Sequence, residues 1–312
     1  MRSNRPCFRF GLLVASAGLV VAPPPLSVRG PRVVAVLSQD AAPYRAALQG
    51  FQDQLKRSLP GAEVVVHVLA AGKDDAVLVK IMRAQDPVLV LALGSAAVEV
   101  ARQLGDVPVV AGMVLHASDV TRGPQFTGVF LEFPFEVAFS YLKRILPGQR
   151  RVAVLYNGAE NQPTIDQASR AARTADLELL ARKVPTASGL PDMLKSLTNS
   201  ADVLWGIADT LVLTPETARP ILLFSLQNRI PFVGLSAPWV RAGALYALER
   251  DYPDVGRQCA ELAGQVLAGL PPASLPPAPP RKVLYVINRR TADQLKLNIP
   301  RDVLRGAAEV IE

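Results

Sequence analysis

The sequence contains one structural pattern twice. Arg32–Ser38 (RVVAVLS) is a short apolar run that ends in polar residues, and the amphipathic stretch Pro43–Leu59 follows it. The pattern restarts at Arg151–Asn157 (RVAVLYN), with Asn161–Ala175 as the matching helix. Strands that alternate with helices of this length are typical of βαβ units and a parallel sheet. Two such units in 312 residues predict an α/β protein of two Rossmann-like lobes with a cleft between them.

Each half continues the alternation of strands and helices. Runs dense in Val and Leu, without strict alternation, predict strands that are covered on both faces. The predicted strands are Val33–Leu37, Val64–Leu69, Val88–Leu93 and Pro108–Met113, then Val152–Tyr156, Glu178–Val184, Val203–Ile207 and Phe232–Leu235. The predicted helices are Tyr44–Leu59, Asp74–Ala84 and Ser95–Leu104, then Asn161–Ala175, Gly189–Asn199, Pro215–Asn228 and Pro253–Leu267.

Three extended segments predict crossings of the chain between the lobes. They are Phe126–Phe135, Ala244–Arg250 and Pro276–Tyr285. The last overlaps the proline-rich stretch Leu270–Pro280, which can be neither a helix nor a central strand because proline lacks a backbone donor and restricts φ. We therefore expect lobes that are discontinuous in sequence, formed by residues 31–127 with 248–281 and by residues 128–247 with 282–312.

Residues 1–22 have the pattern of a secretory signal. Three arginines precede the apolar run Phe10–Ala22, which is shorter than the ~20 residues that span a bilayer as a helix. Pro23–Pro25 follow the candidate cleavage site and disfavour cleavage, so an uncleaved membrane anchor is the alternative. With either outcome, we expect the protein to be periplasmic.

Charge, histidine and cysteine argue against several classes of function. Without the three arginines of the leader, the formal net charge falls from +7 to +4, and the remaining basic residues are scattered, so we expect no nucleic-acid partner. His67 and His116 lack a partner at ligand spacing, which argues against a metal site. Cys259 is the only cysteine after the leader, so we expect no internal disulfide and a buried thiol.

Signatures of catalysis are also missing. The sequence has no nucleophile elbow and no glycine-rich phosphate loop. We therefore expect a monomeric protein that is not an enzyme and that uses no cofactor.

Candidate ligand contacts follow the predicted strands, because open parallel sheets bind ligands beyond the carboxyl ends of their strands. The candidates are Gln39, Tyr44, Ser95, His116, Asn157, Asn161, Asp209, Thr210, Ser236 and Trp239. Ser95 and Asn161 have a second interpretation as simple helix caps, and Trp239 as a core residue. Asp209 is expected to meet the same ligand as Ser95 from across the cleft, with a solvated turn residue as the alternative.

Four segments occur in the order found in one protein family. They are VLYNGAEN (Val154–Asn161), ADT (Ala208–Thr210), RAGALYALERDYPDVGRQ (Arg241–Gln258) and YVINRRTADQLKLNIPRDVL (Tyr285–Leu304). These segments resemble the N-P-x-E-x-N turn, the T-D-N turn, the RGAL…DY…G segment and the I-N…A…LG…IP tail of ABC transporter substrate-binding proteins. Known members of that family include binders of tryptophan and other aromatic amino acids.

The resemblance implies a type I periplasmic-binding architecture, a small-molecule ligand and delivery to an ABC permease in the inner membrane. Where the family usually has T-D-P, this chain has Leu115-His116-Ala117, which removes an acid that could pair with a ligand ammonium group. A less cationic or more apolar molecule than a free amino acid is therefore expected. A ligand-sensing module that reports to a membrane sensor kinase, or a periplasmic enzyme on the same scaffold, are the alternative functions.

Overall fold

The computed structural model describes residues 30–70, 75–121 and 123–312. The predicted signal segment, residues 1–22, lies outside the described residues, as does Asp74 at the start of a predicted helix. The described residues form two separate sheets with helices on their faces. The α/β class with two parallel-sheet lobes is therefore confirmed.

The first sheet contains five parallel strands in the order β2-β1-β3-β4-β5. The strands are β1 Arg32–Leu37, β2 Glu63–Val68, β3 Leu89–Leu93, β4 Val109–Val114 and β5 Phe126–Phe130. The helices between them are α1 Ala42–Ser58, α2 Asp75–Ala84, α3 Ser95–Arg102 and α4 Ala117–Val120.

The second sheet contains seven strands in the order β12-β11-β10-β9-β8-β6-β7, and only the β10–β11 pair is antiparallel among these described strands. The strands are β6 Arg151–Tyr156, β7 Glu178–Lys183, β8 Val203–Trp205, β9 Phe232–Gly234, β10 Tyr246–Arg250, β11 Val283–Asn288 and β12 Glu309–Ile311. The helices are α5 Phe135–Ile145, α6 Gly158–Thr174, α7 Leu190–Ser196, α8 Pro215–Asn228, α9 Ala237–Arg241, α10 Tyr252–Leu267, α11 Arg289–Gln294 and α12 Arg301–Gly306.

Helix α10 returns to the first sheet although it follows a strand of the second. Its residues Val255 and Cys259 are buried with Val33 and Ala35 of β1 in one apolar core. It approaches α1 closely at Gly256, where a Cβ atom would lie 1.8 Å from the carbonyl oxygen of Ala47. The backbones can therefore pack this closely only because glycine has no side chain, and the predicted burial of Cys259 is confirmed.

The chain passes between the sheets three times: after β5, after β10 and before β11. The proline-rich connector is extended from Leu275 onward, and Ala278 forms a bridge with Val129 at the edge of the first sheet. Pro272–Ser274 form a short 3₁₀ helix, so the expectation of no helix in this stretch is wrong there. Two expected boundaries differ from the strand ends by three residues. β5 stays in the first sheet through Phe130, and β10 stays in the second through Arg250, because each hydrogen-bonded ladder continues into the crossing segment.

One long helix was not predicted from the sequence. Helix α5, Phe135–Ile145, directly follows the segment that was interpreted as a crossing, and the beginning of that segment is strand β5. Phe139, Leu142 and Ile145 of α5 are buried in the core of the second lobe. The single glycine and the single proline of FTGVFLEFPF pointed to irregular structure, whereas packing against the second sheet stabilises a helix from Phe135 onward.

Candidate functional site

A cavity of about 290 Å³ lies where strands of the second sheet end and the chain crosses to the first. Its floor is formed by Trp205, Val233 and Tyr246, which are neighbours in register on β8, β9 and β10. Helix α5 contributes Phe135 and Phe139. The remaining wall comes from the crossing segments and consists of Leu131, Glu132, Phe133 and Tyr252, together with Leu115 and His116 after β4.

Three residues of β10 line this cavity together. Tyr246, Leu248 and Arg250 alternate along the strand, so their side chains project from the same face. Tyr246 is 1% exposed, and burial raises the pKa of its phenol well above the ordinary value, so the hydroxyl stays protonated. Among the described residues this hydroxyl has no hydrogen-bond partner. The side chain is buried, but its hydroxyl oxygen keeps some solvent access, so the hydroxyl can bond to water or to a ligand.

Arg250 places a cation in the apolar wall of the cavity. Its Nε donates a hydrogen bond of 2.9 Å to the carbonyl oxygen of Leu131, and its guanidinium lies 4.7 Å from the centre of the Phe133 ring. Burial lowers the pKa of Arg250, but an arginine remains charged in proteins. Within the part of the chain that the structure describes, Arg250 forms no ion pair and its two terminal nitrogens have no hydrogen-bond partner.

The acid nearest to Arg250 in the lining already has a partner. Oε2 of Glu132 lies 3.2 Å from Nδ1 of His116, and both side chains are partly exposed. The backbone N–H of His116 also donates to the carboxylate of Asp119 at the start of α4. The polar part of the cavity wall therefore contains the unpaired donors of Tyr246 and Arg250, and the carboxylate of Glu132, which is paired with His116.

Two of the ten residues predicted from the sequence, His116 and Asn161, line the cavity. The side-chain amide of Asn161 donates a hydrogen bond of 3.0 Å to the carbonyl oxygen of Ala208. The expected helix start is wrong here, because α6 begins at Gly158 and Asn157 is its N-cap. Asn161 therefore lies one turn inside the helix, where its side chain reaches the turn after β8.

The carboxylate of Asp209 is held entirely within the second lobe. Oδ1 accepts hydrogen bonds from the backbone N–H groups of Leu211 and Val212, at 2.9 and 2.8 Å. Oδ2 accepts from the backbone N–H of Asn157 at 2.6 Å and from the amide of Asn161 at 2.9 Å. Asp209 is only 7% exposed, so the interpretation as a solvated turn residue is wrong.

The N-terminus of α3 is capped differently from the prediction. The N-cap is Gly94, with φ at 93°, and Ser95 is the first residue of the helix. The hydroxyl oxygen of Ser38, which follows β1, accepts a hydrogen bond of 2.9 Å from the backbone N–H of Ala97. This bond satisfies one of the free N–H groups at the start of α3. Ser95 is therefore not the N-cap. The N-cap position has a positive φ in this protein, which glycine adopts without strain and serine does not.

Three further candidates make contacts within their own lobe. Thr210 donates a 2.7 Å hydrogen bond to Glu160 through its hydroxyl. Trp239 packs edge-on against Phe232, with the ring centres 5.7 Å apart. Tyr44 lies beside the α3 cap, within the apolar core of the first lobe.

Gln39 is exposed after β1, and Ser236 is the N-cap of α9 without a capping hydrogen bond from its side chain. Eight candidates thus lie outside the lining of the cavity: Gln39, Tyr44, Ser95, Asn157, Asp209, Thr210, Ser236 and Trp239. Their contact with a ligand stays a prediction.

Comparison with known proteins identifies the family. Residues 32–311 match the family described as ABC transporter substrate binding protein. The chain belongs to this family. The resemblance seen in the sequence is confirmed, and the family and fold are those of substrate-binding proteins, which are not enzymes.

The substrate-binding protein is similar to a tyrosine-binding protein of Clostridioides difficile (strain R20291), with 25% identity over 193 residues, 61% of this chain and 54% of the relative. It thus spans about half the length of that curated relative.

Two solved structures are similar in fold. One is the ligand-free, open structure of a substrate-binding protein with adhesive properties from Clostridium difficile, with a TM-score of 0.75 and 17% identity over 90% of this chain and 99% of the other. The second is an ABC domain in complex with L-Trp from Streptococcus pneumonia, with a TM-score of 0.61 and 19% identity over 90% of this chain and 100% of the other.

Sequence reasoning missed the residues of this substrate-binding protein that form most of the cavity. Trp205, Tyr246 and Arg250 were not among the candidates. A signal was present, because Tyr246, Leu248 and Arg250 alternate in the RAGALYALERDY segment and place a charge at the end of an apolar strand. The aromatic residues of FTGVFLEFPF were interpreted as part of a crossing, although Phe133 and Phe135 also face the cavity.

Across the described residues, no helix combines the length and the apolar character needed to cross a membrane. Those same residues contain no cluster of three or more His, Cys, Asp or Glu side chains that could hold a metal ion.

Proposed function

We propose that this substrate-binding protein captures a small amino acid-like, aromatic or apolar molecule in the cavity and delivers it to an ABC permease. The observation that carries the proposal is the position of the cavity. Its lining comes from β8, β9, β10 and α5 of the second lobe, and from the crossing segments and the loop after β4 of the first. The similarity to proteins described as tyrosine-binding and as a complex with L-Trp supports a ligand of this size.

We propose that the two lobes move about the three crossings when a ligand binds. Sheet membership supports lobes of about residues 31–130 with 251–281 and 131–250 with 282–312. Closure would bring the loops after β1 and β3, with Gln39 and Ser95, toward the turn that contains Thr210. Gln39, Ser95 and Thr210 would then become contacts of the closed state.

Export of the protein follows from the same proposal. Residues 1–22 would direct the chain to the periplasm, either as a cleaved signal or as an anchor, and the remainder would act there as a monomer. Cell fractionation tests this proposal, since recovery of the intact chain in the cytosol contradicts it.

A ligand screen tests the proposed function. The protein without its leader is screened by thermal shift against amino acids, aromatic acids and nucleosides, and each compound that raises the melting temperature is titrated by calorimetry. Small-angle scattering should show a smaller radius of gyration with the bound compound, because the lobes close. If no compound raises the melting temperature or compacts the protein, the proposal is wrong.

Two variants on α5 test whether the ligand binds in the cavity. Ala138 lines the cavity, whereas Ser140 of the same helix is exposed. Ala138→Phe should fill part of the cavity and abolish binding, and Ser140→Phe should leave binding unchanged. Equal binding by both variants would place the ligand elsewhere. Uptake of the compound that fails without the protein would support delivery to a permease, whereas normal uptake would favour the sensing module.

A further inference from the structure

We infer that the ligand is a small aromatic or apolar monocarboxylate without an α-ammonium group, and that Arg250 binds its carboxylate. This inference rests on the proposed solute-binding function and narrows the class of solute.

The first argument is the unpaired charge of Arg250. Arg250 is half-buried, and a cation that is partly withdrawn from water is stabilised by an anion and by hydrogen bonds. In the described residues, Arg250 contacts the carbonyl of Leu131 and the ring of Phe133, and the charges of Glu249 and Glu132 favour its cationic form from beyond ion-pair distance. All of these leave its terminal N–H groups without a hydrogen bond. These groups belong to a residue of the cavity lining, and a guanidinium pairs best with a planar, bidentate carboxylate.

A second, independent observation comes from the tyrosines on either side. The Tyr246 hydroxyl, on a side chain that is 99% buried, lines the same cavity and has no hydrogen-bond partner among the described residues. The hydroxyl of Tyr252, a half-buried lining residue two positions beyond Arg250, also has no hydrogen-bond partner among the described residues. A wall with a guanidinium and two free hydroxyls supplies hydrogen-bond donors, and a carboxylate supplies only acceptors.

The acids near the cavity argue against a ligand ammonium group. Glu132 faces His116 at 3.2 Å, and Asp209 accepts four hydrogen bonds within its own lobe. An ammonium group would have to compete with these partners, whereas a carboxylate on Arg250 would displace none. The lining contains one cation, Arg250, and one anion, Glu132, so its preference for an anion rests on the free N–H groups of Arg250 and not on its net charge.

The other lining residues determine the size and the polarity of the ligand that the cavity can hold. Trp205, Phe139 and Leu248 present apolar surface between Tyr246 and Arg250. A volume of about 290 Å³ is sufficient for a single ring with a short chain. A phenyl ring two carbons from a carboxylate fits both requirements.

The test uses three probes with the same phenyl body: 3-phenylpropionate, its uncharged amide 3-phenylpropanamide, and L-phenylalanine. Calorimetric titration of the leaderless full chain should give 3-phenylpropionate a Kd that is at least tenfold lower than that of either other probe. A wild-type Kd for the amide or for L-phenylalanine equal to or below that of the acid overturns the inference.

Arg250→Gln is compared with Arg182→Gln, a change at an exposed residue of β7. Loss of a hydrogen bond to a charged group corresponds to a loss of roughly ten- to a hundredfold in affinity. We expect the acid-to-amide Kd ratio to approach one in Arg250→Gln and to stay at the wild-type value in Arg182→Gln. Because the ratio compares two ligands on one variant, a general loss of folding does not mimic this result.

An unchanged ratio in Arg250→Gln would assign the carboxylate to another residue and overturn the inference. Failure of the inference differs from failure of the proposed function. If the wider screen finds an amino acid or a nucleoside that closes the lobes while 3-phenylpropionate does not bind, the inference is wrong and the function stands. If no compound in the screen binds, both are wrong.

Discussion

The side-chain amide of Asn161 donates a hydrogen bond of 2.9 Å to Oδ2 of Asp209, and so joins α6 to the turn after β8. Both residues follow strands of the second lobe, at the edge where a ligand was expected. The two side chains are hydrogen-bonded to each other, and the carboxylate of Asp209 also accepts a hydrogen bond from the backbone N–H of Asn157. The polar residues at this edge thus shape the lobe before any ligand arrives.

The first prediction concerns the stability that this carboxylate provides. Asp209→Ala should lower the free energy of unfolding by about 2–4 kcal/mol, because buried donors lose their acceptor. The neighbouring variant Thr210→Ala is the control and should change it by less than about 0.5 kcal/mol, since Thr210 is exposed. Urea unfolding followed by circular dichroism measures both. Equal stability of Asp209→Ala and the wild type would contradict the structural role of this residue.

The two tryptophans of the chain should report on ligand binding differently. Trp205 lines the cavity, whereas Trp239 packs against Phe232 outside the lining. A bound ligand should therefore change the fluorescence of Trp205 and leave that of Trp239 almost constant. Trp205→Phe should lose the ligand-dependent signal and Trp239→Phe should keep it. Retention of the full signal in Trp205→Phe would place the ligand outside this cavity.

A pH dependence is expected from Asp254, which joins α10 to the third crossing. Its carboxylate is 2% exposed and accepts from Nε of Arg281 at 2.8 Å and of Arg257 at 3.0 Å. Burial acts to raise the pKa of Asp254, but these hydrogen bonds and the charges of Arg281 and Lys282 hold it below the ordinary value. The unfolded chain has a pKa of about 3.9 for this group, so its stabilisation is complete above that pH and is lost as the pH falls through the folded value.

The variant Asp254→Asn should therefore be less stable than the wild type at pH 7, by about 2–3 kcal/mol. The difference should shrink as the pH falls below about 4, because the wild-type carboxyl then becomes neutral as well. Urea unfolding at a series of pH values measures this, with the exposed Asp192→Asn as the control. A difference that stays constant down to pH 2 would show that the charge of Asp254 contributes nothing.

The cap of α3 depends on a glycine. Gly94 has φ at 93°, and a Cβ there would lie 2.5 Å from Oγ of Ser38 and 2.9 Å from the ring of Tyr44. Gly105 also has a positive φ, at 77°, but a Cβ there would meet no atom within 4 Å. Gly105→Ala should cost about 1–2 kcal/mol from backbone strain alone.

Gly94→Ala should cost at least about 1 kcal/mol more than Gly105→Ala, because the clash adds to the strain. Thermal unfolding of the two variants compares them directly. Equal melting temperatures would mean that Ser38 and Tyr44 move aside without cost.

Local pattern was sufficient to predict most of the strands and long helices. The run Val33–Leu37 is buried along its whole length, and a continuous apolar run is the pattern of a strand covered on both faces. The repeat at Arg151–Tyr156 indicated the second sheet for the same reason. The proline-rich connector after Ser274 could likewise be predicted as extended, because the restriction on φ is local to each residue, whereas the 3₁₀ helix Pro272–Ser274 was not predicted.

The sequence by itself thus determined the class of fold, two parallel sheets behind a leader pattern, since burial on both faces leaves a local signature. Only the tertiary structure determined which polar groups lack a hydrogen-bond partner within the protein. Asp209 follows an apolar strand and Arg250 ends one, yet the carboxylate of Asp209 accepts four hydrogen bonds and the guanidinium of Arg250 donates only one. That difference depends on distant groups such as Asn161 and Leu131, which only folding brings within hydrogen-bond distance of them.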